Sequence, residues 1–291
     1  MDTKEILKKV RAIEIKTRRL SDHIFSGEYH SSFKGRGMSF SEVREYTPGD
    51  DVRGIDWNVT ARFNTPYVKV FEEERELTMV LMVDVSGSEV FGTRVQRKNQ
   101  MITEICAVLA FSAIKNNDKV GVIFFTDKVE QFIPPKKGKS HILRIIREVL
   151  AFQPEGKGTD IAGALEYFNS VIKKRSICFI LSDFMSKEFE KPLKIASKKH
   201  DIVALRISDE RENTLPNIGI VPLEDAEKDT ITYVDTSSRK IRNLFFNRQK
   251  KKHEELLKLF PKCGVGMIDI YTGTDYVKPL INFFKTRERR R

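Results

Sequence analysis

Strand-like and helix-like hydrophobic patterns alternate along the chain from residue 77 onward. Residues 77–84 form an apolar run that ends in Asp84, which is typical of a strand covered on both faces of a parallel sheet. Residues 99–114 then carry apolar side chains at helical spacing. Such alternation predicts right-handed crossovers and helices on both faces of the sheet. We therefore predict an α/β fold with a doubly wound, mostly parallel, Rossmann-like sheet of about six strands.

The same two periodicities place the other elements. Further strands are predicted at residues 120–125, 129–133, 177–181, 202–207 and 265–270. Further helices are predicted at residues 141–152, 161–172, 188–199 and 277–284. Residues 218–223 and 230–234 fit the two strands of a hairpin, and residues 237–259 fit a long basic helix. The strand at residues 77–84 is expected in the middle of the sheet.

The N-terminal part of the chain has a different pattern. Residues 3–20 place apolar side chains at helical spacing among Lys, Arg and Glu, which predicts a helix. Residues 26–74 are interrupted by Gly and Pro and contain short strand-like pieces such as residues 67–71. The predicted organisation is an N-terminal helix in residues 1–25, a small β-rich lobe in residues 26–75, and an α/β domain with a basic C-terminal region in residues 76–291.

Oxygen-bearing side chains lie on three loops that follow predicted strands or begin a predicted helix. Asp84, Ser86 and Ser88 follow the first buried strand, Thr159 precedes a helix, and Asp183 follows another buried strand. Each could be an ordinary cap or turn residue, but ligands of open α/β sheets bind where such loops converge. Carboxylates and hydroxyls without Cys or His favour a hard cation. The sequence therefore predicts a site for Mg²⁺, with Mn²⁺ and Ca²⁺ as the alternatives.

These residues resemble the metal-ion-dependent adhesion site (MIDAS) of von Willebrand factor A domains, in which an Asp-x-Ser-x-Ser loop is followed by a Thr and an Asp on two further loops. The resemblance implies that Ser86, Ser88 and Thr159 bind the metal directly, while Asp84 and Asp183 bind it directly or through water. It also implies an open coordination position for a carboxylate of a protein partner. On this basis the protein is expected to be a binding module and not an enzyme.

The third loop departs from the family pattern at one position. Many von Willebrand A domains carry Gly after the last Asp, whereas this chain carries Phe184. The substitution bears on the width of the site.

A second signature lies in the predicted lobe. Residues 44–62 read REYTPGDDVRGIDWNVTAR and contain the only Trp of the chain. This segment resembles the hallmark of the bacterial family known as domain of unknown function fifty-eight, whose members join it to a von Willebrand A-like domain. Members are commonly encoded beside MoxR-type AAA+ ATPases. The resemblance therefore implies such an ATPase as partner and a chaperone-like or assembly role.

The charged residues of this segment allow two interpretations. They form either a structural or partner-facing ion-pair network beside Trp57, or a catalytic carboxylate cluster. The structural interpretation is favoured because each carboxylate has an Arg close in sequence and no His accompanies the group. The residues concerned are Asp50, Asp51, Asp56, Arg44, Arg53, Arg62 and Arg75.

The chain is basic, with a formal net charge of +11. Much of the excess lies in residues 239–252 and 285–291. Such clusters suit nucleic acid, anionic lipid or an acidic protein partner, although a solvated helix face and a charged terminus give the same pattern. A nucleic-acid-binding protein is therefore the second functional hypothesis, although no recognisable reading motif accompanies the charge.

Compartment and redox state follow from the apolar runs and the cysteines. No uncharged apolar stretch approaches the roughly 20 residues that cross a bilayer, and residues 1–11 lack the features of a signal peptide, which favours the cytoplasm. Cys106, Cys178 and Cys263 are odd in number and widely spaced, and the first two lie in apolar runs. They are expected to be reduced and buried.

Common enzyme classes fit the sequence poorly. A phosphatase of the haloacid dehalogenase type needs a second Asp where this chain has Ser86, and a serine hydrolase needs a Gly-x-Ser-x-Gly turn with a His partner. A Walker-type phosphate loop is also missing from the sequence. A metal-dependent hydrolase remains the third functional hypothesis.

Overall fold

The structure is a computed structural model. It describes residues 11–14, 38–73, 77–86, 98–156, 158–186, 188–209, 212, 214–225 and 230–289. They fall into two compact units. The small unit is Phe33–Leu77, and the large unit comprises the described residues of Met1–Ser32 and Thr78–Arg291. Of the helix predicted at residues 3–20, residues 11–14 are described and are helical, and the rest lies outside the described residues.

The small unit contains a two-stranded antiparallel sheet and a short helix. Strands β1 (Met38–Glu45) and β2 (Tyr67–Glu73) pair in antiparallel fashion, with a register shift between Phe40 and Glu42. Between them lies helix α1 (Trp57–Phe63), which the sequence pattern did not predict. It begins where the Asp56 carboxylate accepts hydrogen bonds from the amides of Asn58 and Val59.

The three aspartates of the signature segment each hold local backbone or a neighbouring cation. Asp50 accepts hydrogen bonds from both terminal nitrogens of Arg44, at 2.8 and 2.7 Å, and these bonds keep the pKa of Asp50 well below its usual range. Asp51 caps the 3₁₀ turn Val52–Gly54, while Asp56 caps α1 and lies 3.4 Å from Lys69 Nζ. The hydrogen bonds of these carboxylates thus have structural uses. Arg75 lies outside the described residues.

The large unit is built on a six-stranded sheet with strand order β10-β7-β6-β3-β4-β5. The strands of this sheet are β3 Thr78–Asp84, β4 Lys119–Phe125, β5 Val129–Lys136, β6 Ile177–Ser182, β7 Asp201–Ser208 and β10 Gly266–Tyr271. The unit also contains two hairpin strands, β8 Ile220–Asp225 and β9 Thr230–Asp235. Its helices are α2 Lys98–Lys115, α3 Lys139–Ala151, α4 Ile161–Val171, α5 Glu190–Lys199, α6 Arg239–Lys262 and α7 Val277–Arg289. All neighbouring strands of the sheet are parallel except β4 and β5. The predicted α/β fold with a mostly parallel sheet is confirmed.

Helices cover both faces of this sheet. On one face, Val80 and Met82 of β3 belong to a buried cluster with side chains of α4, α5 and α6, among them Phe168 and Phe260. On the other face, Phe179 of β6 packs edge-on against a ring of α7 with centroids 6.3 Å apart. Because β3 is covered on both sides, its residues from Met79 to Asp84 are buried, which accounts for the unbroken apolar run of its sequence.

The C-terminal part contains the elements that its sequence predicts, although α6 continues to Lys262. Strands β8 and β9 pair as an antiparallel hairpin outside the main sheet, and β10 pairs with β7 at the sheet edge.

All three cysteines are buried and carry no disulfide, and burial raises the pKa of the Cys106 and Cys178 thiols. Among the helices of the described ranges, none combines the length and apolarity that a membrane span requires.

Candidate metal centre

The centre of the predicted site is Asp84, the last residue of β3. The parallel register of β3 and β6 pairs Val83 with Leu181, which places Asp84 beside Ser182. Ser182 Oγ donates a 2.6 Å hydrogen bond to Asp84 Oδ2, and the Ser86 amide donates a 3.0 Å bond to Asp84 Oδ1. Asp84, Ser86 and Ser182 are all fully buried. The sheet edge therefore fixes both oxygens of this carboxylate.

Asp183 supplies a second buried carboxylate at the same edge. Its Oδ1 accepts a 2.9 Å hydrogen bond from the Met185 amide, which turns the chain away from β6. Burial, and after it the negative charge of Asp183, raise the pKa of Asp84. Two carboxylates of like charge are thus held close together out of water, an arrangement that calls for a cation.

Thr159 lies on a loop that is tied to both neighbouring strand ends. Ser186 Oγ, three residues beyond Asp183, donates a 2.9 Å hydrogen bond to the carbonyl oxygen of Thr159. The amide of Asp160 donates to the Thr126 carbonyl at 2.7 Å, just after β4. Asp160 also caps α4 by accepting a hydrogen bond from the Gly163 amide. The loop of Thr159 is therefore positioned at the edge that carries Asp84 and Asp183.

The donor set present fits a hard cation. Asp84, Asp183, Ser86 and Thr159 are all described and lie on loops at one edge of the sheet, whereas Ser88 lies outside the described residues. In the part of the chain that the structure describes, no three His, Cys, Asp or Glu side chains are grouped so that they could hold a metal. A metal site here would consequently depend on hydroxyl oxygens beside two carboxylates, which is the chemistry of Mg²⁺ rather than of Zn²⁺.

Two residues at this edge were missed from the sequence. Lys98, the first described residue of α2, is fully buried, with Nζ 3.3 Å from Asp183 Oδ2 and 2.6 Å from Glu212 Oε1. Lys98 and Asp183 are 85 residues apart in the chain. Neither Lys98 nor Glu212 belongs to a motif, so only the fold reveals that they meet.

Phe184 shows why glycine suits this position in related sites. Its φ of 59° lies in the left-handed region, which costs a non-glycine residue about 1–2 kcal/mol. Its ring is buried and packs edge-on against Phe260 of α6, with centroids 5.0 Å apart. The strained backbone directly beside Asp183 thus occurs together with an aromatic contact between Phe184 and α6.

The strained backbone and the buried ring of Phe184 predict different effects for two substitutions at this position. Phe184→Ala loses the ring and keeps the strain, so we expect it to lower the free energy of unfolding by about 3–4 kcal/mol. Phe184→Gly loses the same ring but relieves the strain, so its loss should be smaller by about 1 kcal/mol. Urea unfolding of both variants measures the difference. Equal stabilities, or a less stable glycine variant, would show that φ at this residue is not strained.

A groove lies next to the site. It has a volume of about 880 Å³ and runs between α6 and the segment that follows Asp183. Phe184, Met185 and Phe189 line it on one side, and Lys252 and Leu259 line it on the other. Burial lowers the pKa of the Lys252 ammonium, and the negative charge of Asp183 opposes that shift. The groove therefore offers apolar surface together with lysine and glutamate side chains, among them Glu188 and Glu255.

Comparisons with known proteins place the chain in a family. It is 26% identical over 292 residues to Rv1480 of Mycobacterium tuberculosis (strain ATCC 25618 / H37Rv), across 99% of this chain and 92% of that protein. An aerotolerance-related membrane protein of Bacteroides fragilis NCTC 9343 aligns at 13% identity and a TM-score of 0.45, across 74% of this chain and 100% of that chain. BatB of Bacteroides thetaiotaomicron aligns at 12% identity and a TM-score of 0.44, across 73% and 99%. The family model described as "Protein of unknown function DUF58" matches residues 42–255, which is most of the chain, and the chain therefore belongs to the DUF58 family.

Proposed function

We propose that this protein is a metal-dependent protein-interaction module without catalytic activity of its own. The observation that carries the proposal is the pair of buried carboxylates, Asp84 and Asp183, at the carboxyl edge of the sheet, with the buried Ser86 beside them. Asp84, Ser86, Ser88, Thr159 and Asp183 would hold one Mg²⁺, with Mn²⁺ or Ca²⁺ as alternatives. When bound, the ion would supply a Lewis-acidic position for a carboxylate of the partner.

The charges around the site suit an acidic partner surface. Asp84 and Asp183 offset the formal charge of a divalent ion, but where they bind it through water its inner shell consists of neutral oxygens, and the ion still attracts an anionic group. Lys252 lines the groove next to the site and adds a positive charge there, while Glu188 and Glu255 line the same groove. The net charge of +11 adds attraction at longer range, which salt weakens. Salt is therefore expected to slow association, while the requirement for metal persists.

The resemblance to the family suggests a class of protein partner. We propose a MoxR-type AAA+ ATPase that offers an Asp or Glu side chain, in a chaperone-like or assembly role in the bacterial cytoplasm. The ATPase would hydrolyse ATP, and the present chain would select or hold the client.

The test is capture of the purified MoxR-type ATPase of the same organism on immobilised protein, with Mg²⁺ or with excess chelator. We expect chelator to abolish capture and renewed Mg²⁺ or Mn²⁺ to restore it. Ser86→Ala and Thr159→Ala should each weaken capture by about tenfold or more while lowering the free energy of unfolding by only about 1 kcal/mol. Ser170→Ala is the matched control, since Ser170 is exposed on α4.

Two results would count against the proposal. Capture that survives excess chelator together with normal binding by Thr159→Ala would show that metal does not bridge the two proteins. Loss of folding in Ser86→Ala without any binding defect in the folded fraction would make the site structural.

A further inference from the structure

Lys98 is the most unusual residue near the candidate metal centre. A fully buried ammonium group is stable only when carboxylates or other acceptors surround it, because removing the charge from water is costly. Its Nζ lies 2.6 Å from Glu212 Oε1 and 3.3 Å from Asp183 Oδ2. The positive charge is therefore held directly against one of the carboxylates predicted to bind metal.

Glu212 is itself fixed at the same edge of the sheet. Its amide donates a 3.0 Å hydrogen bond to the carbonyl oxygen of Asp209, the residue after β7. In return the Asp209 amide donates a 3.1 Å bond to Glu212 Oε2. Lys98 thus bridges the loops that follow β6 and β7, and its partner Glu212 is outside the predicted metal-binding set.

We propose that Lys98 is the resident cation of this centre. It neutralises Asp183 when no metal is bound, so the sheet edge stays folded without metal, and its charge opposes a divalent ion at Asp183. Lys98 thereby sets a weak metal affinity and makes occupancy depend on the free Mg²⁺ concentration and on the partner's carboxylate. The inference rests on the proposed function, because it concerns the ion that Asp84 and Asp183 would hold.

The formal charges of the cluster support this role. In their ionised forms Asp84, Asp183 and Glu212 carry three negative charges and Lys98 one positive charge, which leaves an excess of two for a divalent ion to balance. Removing the lysine charge would increase that excess to three. Coulomb repulsion between an ammonium and a divalent ion a few ångströms apart is large even at an effective dielectric constant of about 20, so its removal should tighten Mg²⁺ binding by about tenfold or more.

The experiment compares Lys98→Met with the wild-type chain, and Mg²⁺ alone is the probe. Isothermal titration calorimetry should show about tenfold or greater tightening of Mg²⁺ binding in Lys98→Met. The variant leaves Asp183 and Glu212 without this cation, so its unfolding temperature in chelator should fall. Saturating Mg²⁺ should recover more of that loss than it adds to the wild-type protein.

Two control variants separate the position of the charge from its presence. Lys98→Arg keeps a positive charge and should bind Mg²⁺ no more tightly than the wild-type chain. Lys128→Met removes an exposed lysine, paired with Glu155 on the surface, and should leave Mg²⁺ affinity unchanged. If Lys98→Met does not fold in chelator, Lys98→Gln carries the same test, because its amide keeps hydrogen-bond donors at this position without the charge.

Failure of this inference is distinguishable from failure of the proposed function. Equal Mg²⁺ affinities in the wild-type, Met and Gln chains would overturn the role of Lys98 and leave metal-dependent capture standing. Tighter Mg²⁺ binding by Lys98→Met, with ATPase capture indifferent to chelator, would support Lys98 as resident cation and overturn the proposed function. Absence of Mg²⁺ binding in every variant would overturn both.

Discussion

Asp84→Asn is expected to abolish metal-dependent capture of the partner and, at the same time, to stabilise the metal-free protein. The amide removes one of two buried negative charges that repel each other, and burial already disfavours the charged form of Asp84. Asparagine has nearly the same shape, its oxygen can still accept the hydrogen bond from the Ser86 amide, and its NH2 group can donate to Ser182 Oγ, which reverses the bond that Ser182 now donates. We expect a gain of about 1–2 kcal/mol in the free energy of unfolding in chelator.

The same substitution should weaken Mg²⁺ binding by about 100-fold, because a neutral amide replaces a carboxylate ligand in a site that has two. Denaturant unfolding in chelator and calorimetric titration with Mg²⁺ measure the two effects on one preparation. Asp127→Asn is a control that changes an acid outside the predicted ligand set, on the loop after β4. If Asp84→Asn were destabilising in chelator and bound Mg²⁺ normally, Asp84 would be a structural anchor of the sheet edge and not a metal ligand.

The main sheet could be predicted because a strand that is buried on both faces has a continuous apolar sequence. Strand β3 is covered on both faces, and its unbroken apolar run both predicts a central strand and ends at Asp84. The carboxyl ends of parallel strands meet at one edge, so Asp84 and Asp183 could be brought together from the sequence alone. In the structure both side chains are buried at the ends of the adjacent strands β3 and β6.

Residues that meet only through the fold could not be predicted. Lys98 and Glu212 lie in segments with no motif, and their contact with the site depends on how α2 and the loop after β7 approach the sheet edge. The left-handed φ of Phe184 had an indirect signal, the family's preference for Gly, but the ring contact with Phe260 had none. Non-local contacts of this kind leave no periodicity in the sequence.

Two errors of local prediction have physical explanations. Helix α1 was missed because Gly and Pro nearby suggested turns, whereas Asp56 in fact caps the helix with two hydrogen bonds. Helix α6 was expected to end near residue 259, before Pro261, but it continues to Lys262. Pro261 has no N–H to donate, so the last turn lacks one hydrogen bond, and the amide of Cys263 closes the helix end by donating to the carbonyls of Leu259 and Phe260.

The interior ring of α6 is expected to be the most costly single side chain to remove near the site. Phe260 is fully buried and packs against Phe184 and Phe189, with ring centroids 5.0 and 6.3 Å away. Phe260→Ala would leave a cavity between α6 and the segment after Asp183, and we expect it to lower the free energy of unfolding by about 3–5 kcal/mol. Phe246→Ala is the matched control on the same helix.

The control separates the stability lost by removing any aromatic ring from the stability lost by removing a buried, packed ring. Phe246 is 46% exposed, so its truncation should cost less than about 1 kcal/mol. Because Phe184 directly follows Asp183, Phe260→Ala should also weaken Mg²⁺ binding in the fraction that stays folded, whereas Phe246→Ala should not. Urea unfolding and Mg²⁺ titration below the unfolding midpoint measure both effects. Equal losses of stability in the two variants would mean that α6 does not hold the segment after Asp183 in place, and the groove beside the site would then lack a fixed wall.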